Sequence, residues 1–93
     1  MISTVSDPET ERIWTGERSR KLPPDIQQRA MRRLTLLDTA LSLDELGNLR
    51  GNRLHALKDD REGQHSISIN DQWRICFVWK DGDAYDVEIA DYH

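Results

Sequence analysis

The chain ends on three chemically able side chains in a row, Asp91-Tyr92-His93, directly after a run with strand-like alternation, Tyr85-Asp86-Val87-Glu88-Ile89. If the strand continues, Asp91 and His93 share a face and Tyr92 takes the other. Histidine changes charge near neutral pH, as a general acid or base must. The plain alternative is a strand end that carries a histidine by accident. A second set is Arg53-Leu54-His55-Ala56-Leu57-Lys58, followed by Asp59-Asp60-Arg61. Lys58 offers a charge to a phosphate and His55 a site for proton transfer. A surface histidine and a solubilising lysine are the plain readings. The third feature is Arg74, in the alternating run Trp73-Arg74-Ile75-Cys76-Phe77-Val78-Trp79. An arginine in mid-sheet is costly unless it is paired or faces solvent. It is either a planar fork for a phosphate or the partner of an acid on the next strand, such as Asp86 or Glu88.

Other chemistries lack their signatures. There is no glycine-rich phosphate loop and no serine or cysteine nucleophile motif. His55, Asp91 and His93 lack metal-ligand spacing of the HExxH kind, so neither metal nor cofactor is expected. Cys76 lies inside a strand pattern and reads as packing. Trp14, Trp73 and Trp79 read as core.

These residues need a scaffold, and 93 residues allow a single domain, 1–93. No apolar run approaches the length of a membrane helix. Met1 to Asp7 shows no basic region followed by an apolar stretch, so no secretory signal is expected. A single cysteine excludes a disulfide framework, and the expected compartment is the cytoplasm. Net charge is −4, but unevenly spread: from Arg12 to Arg33 seven bases face two acids, while from Lys80 to His93 one base faces five acids. A local basic face can still bind phosphate; a whole-protein electrostatic funnel is not expected.

The first five residues suggest a short strand. Asp7-Pro8-Glu9 opens a helix that Gly16 stops. Pro23-Pro24-Asp25 opens a longer one, with Ile26, Ala30, Leu34, Leu37 and Leu41 on one stripe. Arg29, Arg32 and Arg33 lie largely off that stripe, on what reads as a solvated face. Ser42-Leu43-Asp44-Glu45 resembles a capping box for a further short helix. The period then changes to two. His65–Ile69, Trp73–Trp79 and Tyr85–Ile89 form an antiparallel meander, turning at Asn70-Asp71-Gln72 and at Asp81-Gly82. Arg53–Leu57 offers an edge strand. The class is α+β: a small antiparallel sheet with two N-terminal helices on its Ile/Trp/Phe face, leaving the Arg74 face for solvent or a ligand.

The stretches Gly51-Asn52-Arg53-Leu54, Leu57-Lys58, Asp60–Gln64, Ile69–Phe77, Gly82–Ile89 and Asp91-Tyr92-His93 together resemble the HigB branch of the RelE/ParE superfamily, toxins of type II toxin–antitoxin modules. The resemblance implies a RelE-like fold and a ribosome-dependent, metal-free endoribonuclease cutting mRNA in the ribosomal A site. It implies a HigA-like helix-turn-helix antitoxin as partner, and operator DNA only through that antitoxin. It places functional positions on His55, Lys58, Asn70, Arg74, Asp91, Tyr92 and His93, with Asn70, Arg53 and Arg61 contacting RNA. In that role Arg74 and Lys58 hold the scissile phosphate, His93 and His55 move protons, Asp91 orients a histidine, and Tyr92 positions the nucleotide. The chain departs from relatives at Asp59, where glycine is frequent, at His65, where tryptophan is, at Val78, where a second arginine is, and at Ser3, where lysine is. Within the superfamily the alternatives are a ParE-like gyrase inhibitor and a weakly toxic co-repressor subunit.

Overall fold

The computed structural model of the chain describes residues 1–91, the Arg50 side chain excepted. Three helices, α1 (Pro8–Trp14), α2 (Pro24–Thr39) and α3 (Leu43–Gly47), precede four strands, β1 (His55–Ala56), β2 (His65–Ser68), β3 (Trp73–Lys80) and β4 (Asp83–Asp91). The strands pair in sequence order, all antiparallel.

Helix α1 begins as its sequence dictates. The Asp7 carboxylate accepts the Thr10 amide at 3.2 Å, and Glu9 and Glu11 lie in the positive first turn. Gly16 ends the segment at φ 89°. Helix α2 buries Ile26, Ala30, Leu34 and Leu37. The expected fifth member of that stripe, Leu41, is instead 83% exposed. Ala40 leaves the helix with ψ 137°, because the next residues turn to start α3. There Ser42 Oγ accepts the Glu45 amide at 3.1 Å, and Glu45 Oε2 accepts the Leu41 amide at 3.2 Å. Arg33 also departs from expectation. It is not on a fully solvated face: its Nε donates to Ser68 O at 3.0 Å and its Nη2 to Gly51 O at 3.4 Å, tying α2 to the end of β2.

The β3–β4 hairpin turns through Asp81 and Gly82 at φ 53° and 83°, the left-handed pair that a type I′ turn requires. At the β2–β3 turn, Asn70 Oδ1 accepts the Gln72 and Trp73 amides at 2.9 and 2.7 Å. The edge strand is shorter than Arg53–Leu57, since Arg53 takes φ 44° and only two residues pair. The first residues make two parallel bridges, Ile2 to Ala84 and Val5 to Val87, rather than a regular strand. Between them β4 bulges at Asp86, φ 53°, whose amide donates to Thr4 Oγ1 at 2.8 Å.

The bulge changes the phase of β4. Tyr85 pairs with Val78 and so lies on the Arg74 face, while Ile89 and Asp91 lie opposite Ile75 and Trp73 on the helix face. Helices α1 and α2 cover that face, burying Ile67, Ile69, Ile75, Phe77, Val87 and Ile89 against Ile13, Ile26, Ala30, Leu34 and Leu37. Trp14, Trp73 and Trp79 pack at the margin of this core. Phe77 is fully buried, with Trp79 edge-on at 6.4 Å and His65 stacked at 6.2 Å. Thr10 Oγ1 accepts the Ile89 amide at 2.9 Å, docking α1 on β4. Among the described residues, no helix is long and apolar enough to cross a membrane. Phe77→Ala is expected to cost about 3–5 kcal/mol of stability, read as a lowered midpoint in urea unfolding.

Candidate functional site

The sheet face away from the helices carries Ser66, Ser68, Arg74, Cys76 and Glu88. His55 pairs with Ser66, so the edge strand delivers it to this same face. Beyond β1 the chain turns back, with the Leu57 amide donating to Gln64 O at 2.8 Å. The result is an open cleft of about 350 Å³ lined by His55, Ala56, Leu57, Lys58, Asp59, Ser66 and Arg74. Three residues singled out in the sequence, His55, Lys58 and Arg74, are therefore brought together by β1, the following turn and β3.

Arg74 is the best-anchored of them. Its Nε donates to Ser66 Oγ at 2.7 Å and its Nη2 to Arg53 O at 2.6 Å, with a longer contact to Ser66 O at 3.5 Å. The left-handed turn at Arg53 aims that carbonyl at the guanidinium. Of the two acids offered as partners, Glu88 is ion-paired with Arg61 at 2.7 Å, and Ala90 stands directly opposite Arg74 in the register. Ser66 is the residue that sequence reasoning missed. Its strand alternation places it on the Arg74 face, and it is completely buried there.

The other expected positions lie elsewhere or do other work. Arg53 contributes its carbonyl to the site, while its guanidinium lies 3.4 Å from the exposed Asp71. Asn70 Oδ1 is committed to the β2–β3 turn. Arg61 joins Glu88 on the same face as Arg74, beside the cleft rather than in its lining. Asp91 is not brought to the cleft: it lies on the helix face and accepts from Gln72 Nε2 at 3.0 Å. Tyr92 and His93 lie outside the described residues. Among the described residues, no group of three or more histidine, cysteine or carboxylate side chains is placed to hold a metal ion.

Cys76 is fully buried in β3. Burial pushes its thiol pKa up; the positive charge of Arg61 opposes this, Glu88 adds to it, and Arg74 opposes it. The thiol is thus packing, as the strand pattern indicates. A second cationic surface lies on α1 and its connector to α2. There Arg12, Arg18, Arg20 and Lys21 line a depression of about 350 Å³ with Glu9. Glu9 is occupied by Ser19 Oγ at 2.6 Å and by Arg12 at 3.7 Å.

This arrangement, an anchored arginine with lysine and histidine in an open cleft on a helix-backed sheet, occurs on a chain that matches a known family over nearly its whole length. The family described as "RelE-like toxin of type II toxin-antitoxin system HigB" matches residues 6–93. The chain belongs to this family of HigB-like toxins. It is 48% identical over 61 residues to "Endoribonuclease HigB" of Proteus vulgaris, a match covering 66% of this chain and 65% of that protein. It is 37% identical over 68 residues to "Toxin HigB-1" of Vibrio cholerae serotype O1, covering 73% and 72%. Its fold is similar to that in two structures of the YoeB–YefM toxin–antitoxin complex from Staphylococcus aureus. Their TM-scores are 0.58 and 0.55 at 15% and 17% identity, with 100% of this chain and 98% of the matched chain covered in each case. The RelE-like architecture expected from the sequence is thus the one observed.

Two outcomes follow from the geometry. Ser66→Ala removes the acceptor for Arg74 Nε and should lower stability by about 1.5 kcal/mol, measured by urea unfolding. Cys76 should resist alkylation by iodoacetamide at pH 8 in the folded protein and react once the protein is unfolded, as followed by mass spectrometry.

Proposed function

We propose that this chain is the toxin of a type II toxin–antitoxin module and acts as a ribosome-dependent endoribonuclease on mRNA in the A site. The observation that carries the reading is the anchored Arg74 sharing an open cleft with His55 and Lys58. Metal-free cleavage of RNA needs the 2′-hydroxyl deprotonated, the phosphorane charge neutralised and the 5′-oxygen protonated. Arg74 and Lys58 supply the positive charge, Arg74 as a fork already set in direction. His55 is one of the two proton-transfer groups and His93 the other. Asp91 has, by the resemblance, the part of orienting a histidine; the register puts it on the helix face, away from His55. Tyr92 positions the target nucleotide by stacking. Arg53, Arg61 and Asn70 are the further RNA contacts in this reading.

The partners that fit this reading are a HigA-like helix-turn-helix antitoxin, the ribosome with its mRNA, and operator DNA through the antitoxin. The site of action is the cytoplasm. The basic segment from Arg18 to Arg33 meets ribosomal RNA or the antitoxin.

Mapping RNA ends on a translated reporter tests this, with and without ribosomes, using the wild type, Arg74→Ala and His93→Ala. New 5′-hydroxyl and 2′,3′-cyclic phosphate ends at in-frame codons are expected only with ribosomes and the wild type. Each variant should lose at least about 100-fold in cleavage while still binding antitoxin. Full cleavage by a folded Arg74→Ala protein would refute the site. No cleavage by the folded wild type would move the function to gyrase inhibition or co-repression.

A further inference from the structure

We infer that Asp59 weakens RNA binding by the cleft, its carboxylate opposing the approach of a phosphodiester to Lys58 and Arg74. This deepens the proposed function and rests on it. Asp59 lines the cleft beside both cations. Its φ is 56°, in the left-handed region that glycine enters without steric cost and that other residues enter less readily. An aspartate kept at such a position would ordinarily be doing something with its side chain, capping a turn or pairing with a cation. Here it does neither. Among the described residues, its carboxylate makes no hydrogen bond and no ion pair, and it is exposed. Only its backbone carbonyl is used, accepting the Glu62 amide at 3.1 Å, which any residue would provide.

The side chain therefore adds nothing to the turn that glycine would not provide more easily. What it does add is a negative charge at the mouth of a cleft whose two other charged lining residues are positive. A phosphate entering the cleft lies within a Debye length of all three charges, so salt at moderate concentration does not remove the repulsion. The consequence is a cleft that orients a phosphate through Arg74 but holds free RNA weakly.

Asp59→Asn isolates the charge, because asparagine tolerates the left-handed conformation and has nearly the same shape. Asp59→Glu keeps the charge. The probe is a short fluorescent single-stranded RNA with 2′-O-methyl riboses, which cannot be cleaved, titrated by anisotropy with the whole chain. Asp59→Asn should bind about three- to tenfold more tightly than the wild type at low salt, and the gain should shrink to under about twofold at high salt. Asp59→Glu should match the wild type. Equal affinity of Asp59→Asn and wild type at low salt, or a gain that salt does not diminish, would overturn the inference. Arg74→Ala in the same assay separates the two levels of the account. If Arg74→Ala weakens binding and Asp59→Asn changes nothing, the role of Asp59 falls and the cleft remains the RNA site. If the proteins bind and neither variant changes the affinity, both fall; if none of the proteins binds, Asp59→Asn included, the role of Asp59 falls and the ribosome-dependent reading is judged by the reporter alone. Urea unfolding of each variant shows that the compared proteins are folded.

Discussion

A guanidinium in the middle of a four-stranded sheet must be supplied with acceptors, and the open face of this molecule is arranged around that requirement. Ser66 on β2 takes Nε, and the carbonyl of Arg53 takes Nη2. The second contact exists only because Arg53 adopts a left-handed conformation just before β1. The same turn sets β1 in register with β2, which carries His55 onto the face of Arg74 and lets Lys58 follow into the cleft. Anchoring one arginine thus fixes where the edge strand runs and which side chains share its space. An arginine already held by Ser66 and the Arg53 carbonyl loses little further freedom when a phosphate arrives.

The opposite face does the stabilising. Helices α1 and α2 bury the Ile/Phe side of β2, β3 and β4, and Arg33 and Thr10 fasten the helices to strand backbone. This division lets the open face carry charge and exposure without supporting the core. It also separates the two basic regions: the cleft residues sit on the sheet, while Arg12, Arg18, Arg20 and Lys21 sit on α1 and its connector. The net charge of −4 conceals both.

Much of the fold is legible in the sequence where one residue type is demanded by one conformation. Asp81-Gly82 specifies its hairpin turn because both residues must take positive φ, and Asp7-Pro8 specifies a helix start because it supplies an acceptor and omits a donor. The alternation of Trp73 to Trp79 reports its two faces directly. What the sequence hides are effects of one element on another. The end of α2 before Leu41 depends on the start of α3. The tether from Arg33 depends on where β2 ends. The bulge at Asp86 shifts β4 by one residue, so that Tyr85 lies on Arg74's face while Val87, Ile89 and Asp91 lie on the helix face. Reading the Tyr85–Ile89 alternation alone places Tyr85 with Val87 and Ile89. The grouping of His55, Lys58 and Arg74 follows from the family resemblance, whereas the part played by Ser66 and the Arg53 carbonyl required coordinates.

The most direct test of the anchored arginine as phosphate ligand is an NMR titration of the isotope-labelled protein with an uncleavable 2′-deoxy dinucleotide. The Arg74 Nε–H signal and the His55 and Lys58 resonances should shift together and saturate with one affinity, while amides of α2 stay in place. Shifts confined to the α1–α2 connector, or an Arg74 signal unmoved at saturation, would contradict the account.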